Sequence, residues 1–213
     1  MKKNPFYNLV WKILRPLVLW LFPVEIQGRE NLPDEPVVLC ANHSSAWDPV
    51  LLVCALYDDV PMRIMAKQQL FRIPLVGGFI RFMGAFPVDR GNSDISAIKT
   101  AIKALHDGIS LLIFPEGTRN RTDAPLLEFH AGSLKIAEKA QCPIVPMTIA
   151  NAEQIFEAHS PCIRKTKVII EYGEPIETKN LDRTQQKALT SQVVARISET
   201  YEKNMKLLSG ENK

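Results

Sequence analysis

Apolar runs bounded by turn residues alternate along this chain with stretches of helical period. Val24–Gln27, Pro36–Ala41, Met62–Ala66, Ser110–Phe114, Pro143–Ile149 and Lys167–Tyr172 have the length and continuous apolar character of buried strands. Phe86-Pro87-Val88 is a further short extended piece. Pro146, which has no N–H to give a ladder, places its strand at an edge or an irregular point. Between these runs the period changes. A helix is predicted from Trp47-Asp48-Pro49 through Leu51, Leu52 and Ala55 to Tyr57, and a glycine-containing one over Pro74–Gly84. Ile95, Ile98, Ile102 and Leu105 mark another, capped by Ser93 or Asp94 and stopped by Gly108. Gly132–Ala140 is helical, and Leu189, Val193, Ile197, Tyr201 and Met205 recur every fourth residue in a final helix over Arg183–Leu208. The alternation predicts an α/β fold: a single domain around a mainly parallel sheet flanked by helices.

The first 23 residues have a different pattern. Leu9, Val10, Trp11, Ile13, Leu14, Leu17, Val18, Leu19, Trp20, Leu21 and Phe22 crowd together, punctuated by Lys2, Lys3, Lys12 and Arg15. A spanning helix needs about 20 mostly apolar residues. Here Lys12 and Arg15 interrupt the run, and the uninterrupted part from Pro16 to Pro23 is too short. Val24-Glu25-Ile26 lacks the small residues of a signal-peptide cleavage site. Basic residues interleaved with Trp and Leu fit a helix lying in a membrane interface, the alternatives being a helix packed on the protein's own core or a true span. The expected division is an interfacial helix over residues 1–23 and one domain over 24–213, the length of one domain with a substantial core.

Composition adds exclusions. The net charge of +3 is too small to point to nucleic acid as a partner. The four cysteines, Cys40, Cys54, Cys142 and Cys162, form no Cys-x-x-Cys pair, and the first three lie in apolar stretches, as buried free thiols do. No third or fourth ligand accompanies the histidines at metal-site spacing, so no metal is expected.

The candidate chemistry follows two of the buried strands. Asn42-His43-Ser44-Ser45-Ala46-Trp47-Asp48 comes directly after the strand ending at Ala41. A carboxylate beside an imidazole fixes its tautomer and stabilises the imidazolium that forms when it takes a proton. The two residues are five apart, so on one regular helix they would point about 140° apart. They can meet only if His43 is on the strand-to-helix loop and Asp48 in the first helical turn. Ser44 and Ser45 as cap residues and Pro49 early in the helix support that break. No serine or cysteine nucleophile motif is present, so the hydroxyl to be activated can belong to a substrate. Phe114-Pro115-Glu116-Gly117-Thr118-Arg119-Asn120 follows a second strand. Gly117 permits a tight turn, and the Arg119 guanidinium suits a phosphate, although a surface Glu–Arg turn has the same sequence. Gly84 to Arg90 carries a second candidate phosphate donor in Arg90.

Together these blocks resemble the glycerolipid acyltransferase family, in its bacterial 1-acylglycerol-3-phosphate acyltransferase branch. Asn42, His43 and Asp48 match its Asn-His-x-x-x-x-Asp motif; Gly84, Phe86 and Arg90 match Gly-x-x-Phe-x-x-Arg with one residue fewer before the phenylalanine. Phe114 to Arg119 match Phe-Pro-Glu-Gly-Thr-Arg, and Val145-Pro146 the fourth block. Phe129-His130 departs from the family's Phe-Lys step. The resemblance runs from about residue 25 to 150 and implies transfer of a fatty acyl group from an acyl carrier protein or coenzyme A thioester to the 2-hydroxyl of 1-acylglycerol 3-phosphate, giving phosphatidic acid for phospholipid synthesis. It implies no further cofactor. His43 would be the base and Asp48 its orienting partner. Lys67, or a backbone N–H near Gly84, would face the oxyanion. Arg90 and Arg119 would hold the phosphate, with Gly117 shaping the turn and Glu116 and Thr118 placing the glycerol or steadying Arg119. Leu75–Met83 would line a fatty-chain tunnel or plain core. The expected setting is the cytoplasmic face of the membrane, on an anionic surface. A hydrolase using the same pair on water, an acyltransferase for another lysolipid or glycerol 3-phosphate, and a non-catalytic lipid-binding module are the competing readings.

Overall fold

The apolar runs assemble into a seven-stranded sheet: β1 (Val24–Gln27), β2 (Val38–Ala41), β3 (Met62–Lys67), β4 (Ala85–Val88), β5 (Ser110–Ile113), β6 (Ile144–Ala150) and β7 (Val168–Tyr172), in the spatial order β1-β7-β6-β2-β5-β3-β4. The structure, a computed structural model, describes residues 5–56, 61–89, 94–122, 124–130 and 132–210. The strands from β6 across to β4 are parallel; β7 is antiparallel to β6 and parallel to β1. The sheet is therefore mainly parallel, as expected from the strand–helix alternation.

Because successive side chains of a strand face opposite ways, a strand buried on both sides feeds two cores. Val37, Leu39 and Ala41 point into one core, with α1 (Pro5–Leu21), α2 (Asp48–Leu56) and α3 (Val76–Phe82). Val38 and Cys40 point into the other, with α4 (Ile95–His106), α5 (Lys135–Ala140) and α6 (Arg183–Ser209). Local chemistry sets the helix ends. The Asp94 carboxylate accepts from Ala97 N to cap α4, and Asp182 and Gln185 form a reciprocal capping box on α6. Ser93 and Tyr57 lie outside the described residues.

The β6 strand is interior, not at an edge, so Pro146 takes the irregular alternative. It pairs in register with Cys40 of β2. Its carbonyl accepts from Gly173 N at 2.8 Å, so its missing N–H faces the same side, just before the β6–β7 ladder begins at Met147 and Tyr172. The proline sits where no ladder hydrogen bond is required of it.

The N-terminal helix packs one side on the protein's own core and leaves its other side exposed. Trp11, Val18 and Phe22 are buried in the first core, Trp11 stacking on Phe82 with ring centroids 5.9 Å apart. Leu9, Ile13, Leu17 and Trp20 form an exposed apolar stripe on its other side. No helix among the described residues is long and apolar enough to cross a membrane. Cys40, Cys54 and Cys142 are buried free thiols and Cys162 is exposed.

Candidate active site

β2 lies between β5 and β6; the chain leaving β2 passes through α2 to β3 on one side of it, and the chain leaving β5 passes through α5 to β6 on the other, the kind of switch point where parallel sheets bind ligands beyond their carboxyl ends. His43 stands on the loop there and Asp48 opens α2. The break in helical geometry brings them together: His43 Nδ1 lies 2.8 Å from Asp48 Oδ2. The same oxygen accepts the N–H groups of Ser44 and Ser45, each at 2.8 Å, so one carboxylate pins the loop that enters α2 and holds the imidazole. Asp48 is fully buried, and its Oδ1 has no hydrogen-bond partner. Burial pushes its carboxyl up, against the opposing pull of His43 and the two serine N–H groups. With Nδ1 on Asp48, Nε2 is the ring nitrogen open to a substrate hydroxyl.

The ring's position is fixed from several directions. Asn42 is buried and doubly bonded to the β6 backbone, its Nδ2 donating to Ile149 O at 3.0 Å and its Oδ1 accepting from Ile149 N at 2.8 Å. It extends the β2–β6 pairing one residue beyond the strand. His43 N donates to Glu116 Oε1 at 2.8 Å, and Asn120 N donates to His43 O at 2.6 Å. Phe114 stacks on the imidazole with centroids 4.3 Å apart. The two motif-bearing loops are thus joined through the backbone of His43.

Of the two roles expected of Glu116, steadying Arg119 is not the one the structure gives it. It is buried, and its second oxygen accepts from Leu127 N at 2.8 Å, so both oxygens are occupied by backbone N–H groups. Burial raises its carboxyl against those two bonds. It braces the loops and makes no bond to Arg119. Arg119 is held instead by Glu157, its Nη1 donating to Oε1 at 2.9 Å. Glu157 also accepts from Ser45 Oγ at 2.7 Å and Ala46 N at 2.7 Å. Burial favours its neutral form, but the Ala46, Ser45 and Arg119 donors outweigh that and lower its carboxyl below the ordinary value. Gly117 closes the turn with φ 70° and its N–H on Phe114 O at 3.0 Å. Thr118 is exposed.

His43, Glu116 and Arg119 line a common cavity of about 640 Å³, which also takes in Arg121, Glu153, Glu157 and Tyr201. Burial raises the Glu153 carboxyl and pushes the Tyr201 phenol up to about 12. Lys67 does not line this cavity; it is exposed at the end of β3, separated from β2 by β5, so the structure does not bring it to His43. Arg90 lies outside the described residues. Leu75, Val76 and Phe79 are exposed rather than enclosed around a tunnel. No cluster of three or more His, Cys, Asp or Glu among the described residues is placed to hold a metal ion.

Glu153, Glu157 and Arg121 carried no sequence signal. The two glutamates come from irregular 3-10 turns after β6, over Ala152–Ile155 and Glu157–His159. Tyr201 sits in the four-residue stripe of α6, where a core position and a cavity-lining one have the same spacing.

Residues 23–150 match the acyltransferase family model. The 1-acyl-sn-glycerol-3-phosphate acyltransferase of Bacillus subtilis (strain 168) is 34% identical over 185 residues, covering 84% of this chain and 89% of that protein. The enzyme of the same name from Streptococcus pneumoniae is 31% identical over 192 residues, covering 88% and 69%. The crystal structure of the 1-acyl-sn-glycerophosphate acyltransferase PlsC from Thermotoga maritima superposes with a TM-score of 0.76 at 26% identity, over 93% of this chain and 79% of that one. This chain belongs to the acyltransferase family.

Proposed function

We propose that this protein acylates the 2-hydroxyl of 1-acylglycerol 3-phosphate from a fatty acyl thioester, releasing phosphatidic acid and a free thiol. One observation carries the reading: an imidazole held on a buried carboxylate at 2.8 Å shares a cavity with a guanidinium fixed on the facing loop. His43 Nε2 takes the proton of the attacking hydroxyl as its oxygen bonds to the thioester carbonyl. The imidazolium is stabilised by Asp48. The tetrahedral intermediate collapses with loss of the thiolate, to which His43 returns the proton. No acyl-enzyme is required, because the substrate supplies the hydroxyl that a serine hydrolase supplies itself.

Arg119 binds the acceptor phosphate with the part of its fork not used by Glu157, and Arg121 adds charge from the same wall. Anchoring the phosphate selects which hydroxyl meets Nε2, a proximity effect. The acceptor is a membrane lipid, and the exposed stripe of Leu9, Ile13, Leu17 and Trp20 with Lys12 supports a peripheral or monotopic seat on the cytoplasmic leaflet, beside the carrier-protein or coenzyme A donors.

The test is purified protein with a lysolipid panel and both classes of thioester. The expected product is phosphatidic acid from 1-acylglycerol 3-phosphate, lost in His43→Ala with the fold intact. Free fatty acid without phosphatidic acid would make the protein a hydrolase and refute the proposal.

A further inference from the structure

The turn that carries Leu75 is unusual on three independent counts. Leu75 has φ 64° and ψ −50°, and Val76 N bonds back to Pro74 O at 2.7 Å. That is the rare, strained form of the γ-turn, adopted here by a branched residue. Its side chain is 91% exposed, so burial within the chain does not offset the strain. The turn is also held tight from below: Gly77 approaches Phe71 so closely that a Cβ there would stand 2.4 Å from the Phe71 carbonyl oxygen. The backbone thus holds an aliphatic side chain out into solvent.

Leu75 has apolar company. Leu70, Ile73, Val76 and Phe79 are exposed around it. The segment from Pro61 to Val88 contains no Asp or Glu but carries Arg63, Lys67, Arg72 and Arg81. The chain from Met1 to Val24 is likewise free of acids, as is that from Ala158 to Ile170, with Arg164, Lys165 and Lys167. These acid-free segments meet. Trp11 of α1 stacks on Phe82 of α3, and Lys165 lies over the Trp20 ring at 5.5 Å.

We infer that the Leu70–Phe79 segment is a second membrane-insertion element, distinct from the N-terminal helix, with Leu75 at its tip entering the acyl-chain region of an anionic bilayer. Exposed apolar side chains in a segment that carries cations and no acids fit lipid headgroups over a hydrocarbon layer. An exposed apolar patch with no charge bias would fit a protein partner equally well; the missing acids favour the anionic surface. The inference rests on the membrane-lipid acceptor proposed above. Two anchor points, one on α1 and one before α3, would fix the tilt of the sheet on the leaflet and keep the mouth of the cavity at headgroup level.

The experiment uses the full chain with its N-terminal helix intact. Leu75→Gly removes the side chain and suits the backbone, so its melting temperature should equal or exceed that of the wild type. Its partition onto phosphatidylglycerol vesicles should fall about tenfold, on the order of withdrawing one leucine from hydrocarbon, and the loss should persist at high salt. Turnover of a water-soluble short-chain acceptor should not change. In a second variant, C162S/L75C, a polarity-sensitive dye on the new thiol should shift to the blue on vesicles and be quenched by brominated acyl chains. Wild-type partition in Leu75→Gly, or a dye that stays in water, would overturn the inference. So would a marked fall in melting temperature, which would make Leu75 a packing residue, or a dye response to acyl carrier protein in place of vesicles. A wild type that turns over the soluble acceptor but ignores vesicles defeats the insertion element alone. A wild type whose dye-labelled form inserts while no acyl transfer occurs defeats the proposed reaction alone.

Discussion

Replacing Asp48 by asparagine removes a charge while keeping the shape, and the structure sets the size of the effect. The carboxylate oxygen lies 2.8 Å from His43 Nδ1. At that distance a full ion pair is worth about 6 kcal/mol at an effective dielectric of ~20. About 1–2 kcal/mol of this is already present as a hydrogen bond to the neutral ring in the ground state. The remaining ~4 kcal/mol appears only as the imidazolium forms, and it corresponds to about a thousandfold in kcat. Asparagine cannot relieve the loss by turning over. An NH₂ at the Oδ2 position would face the Ser44 and Ser45 N–H groups, so the amide oxygen stays there and the NH₂ falls where Oδ1 has no partner. The assay is steady-state formation of phosphatidic acid by Asp48→Asn at saturating thioester, with thermal melting measured on the same preparation. A folded variant retaining kcat within about tenfold of wild type would show that Asp48 only braces the loop, and the base assignment to His43 would lose its main support.

Arg119→Ala should raise the KM for the lysophosphatidate acceptor about tenfold to a hundredfold with a smaller change for the thioester, as expected for loss of a charged hydrogen bond to phosphate; equal effects on both substrates in initial-rate kinetics would refute a phosphate role. Glu153→Gln and Glu157→Gln should have opposite pH signatures in urea unfolding. Burial raises the Glu153 carboxyl above 4.5 in the folded protein, so the stability it contributes is complete below that value and lost as pH rises through the folded value. Its glutamine variant should match wild type near pH 4 and exceed it at pH 8. Glu157 is lowered below 4.5, so its contribution is present above that value and lost as pH falls through the folded one; its glutamine variant should be weaker than wild type at pH 7 and converge on it in acid. Parallel profiles for the two variants would contradict the hydrogen-bond assignments. Asn42→Leu should destabilise by about 2–5 kcal/mol, because it strands the buried N–H and C=O of Ile149, and denaturant titration measures this directly.

The sheet was legible because its strands are buried on both faces. Val38–Ala41 and Ser110–Ile113 are continuous apolar runs, and such runs keep their meaning without knowledge of neighbours. The order of the strands was not, since nothing in the composition of β6 distinguishes an interior place from an edge, and Pro146 pointed equally to an edge and to the irregular junction with Gly173. The His43–Asp48 contact was legible because it is local: a strand, a loop with cap residues and a helix start place the two side chains by short-range rules. Glu116 and Glu157 show where such rules stop. A glutamate beside an arginine in sequence, as Glu116 is to Arg119, is a natural ion-pair candidate. The fold instead gives Glu116 to the N–H groups of His43 and Leu127 and brings Glu157 to Arg119 across 38 residues. Which carboxylate neutralises which cation depends on burial of backbone donors, and only the tertiary structure decides that.

The motif residues divide the work of catalysis unequally. Of Asn42, Asp48, Phe114 and Glu116, Asp48 and Phe114 touch the His43 ring; Asn42 and Glu116 act on the backbone that bears it. A base that must meet the hydroxyl of a flexible lysolipid, as proposed above, cannot rely on the substrate to organise it. Each brace fixed before binding is reorganisation that the transition state does not have to drive. The buried carboxylates are destabilising in isolation, and Asp48 and Glu116 are both raised by burial. Their cost is the expected accompaniment of a preorganised site, and an apolar replacement would not recover it, because it would strand the backbone N–H groups that each carboxylate holds.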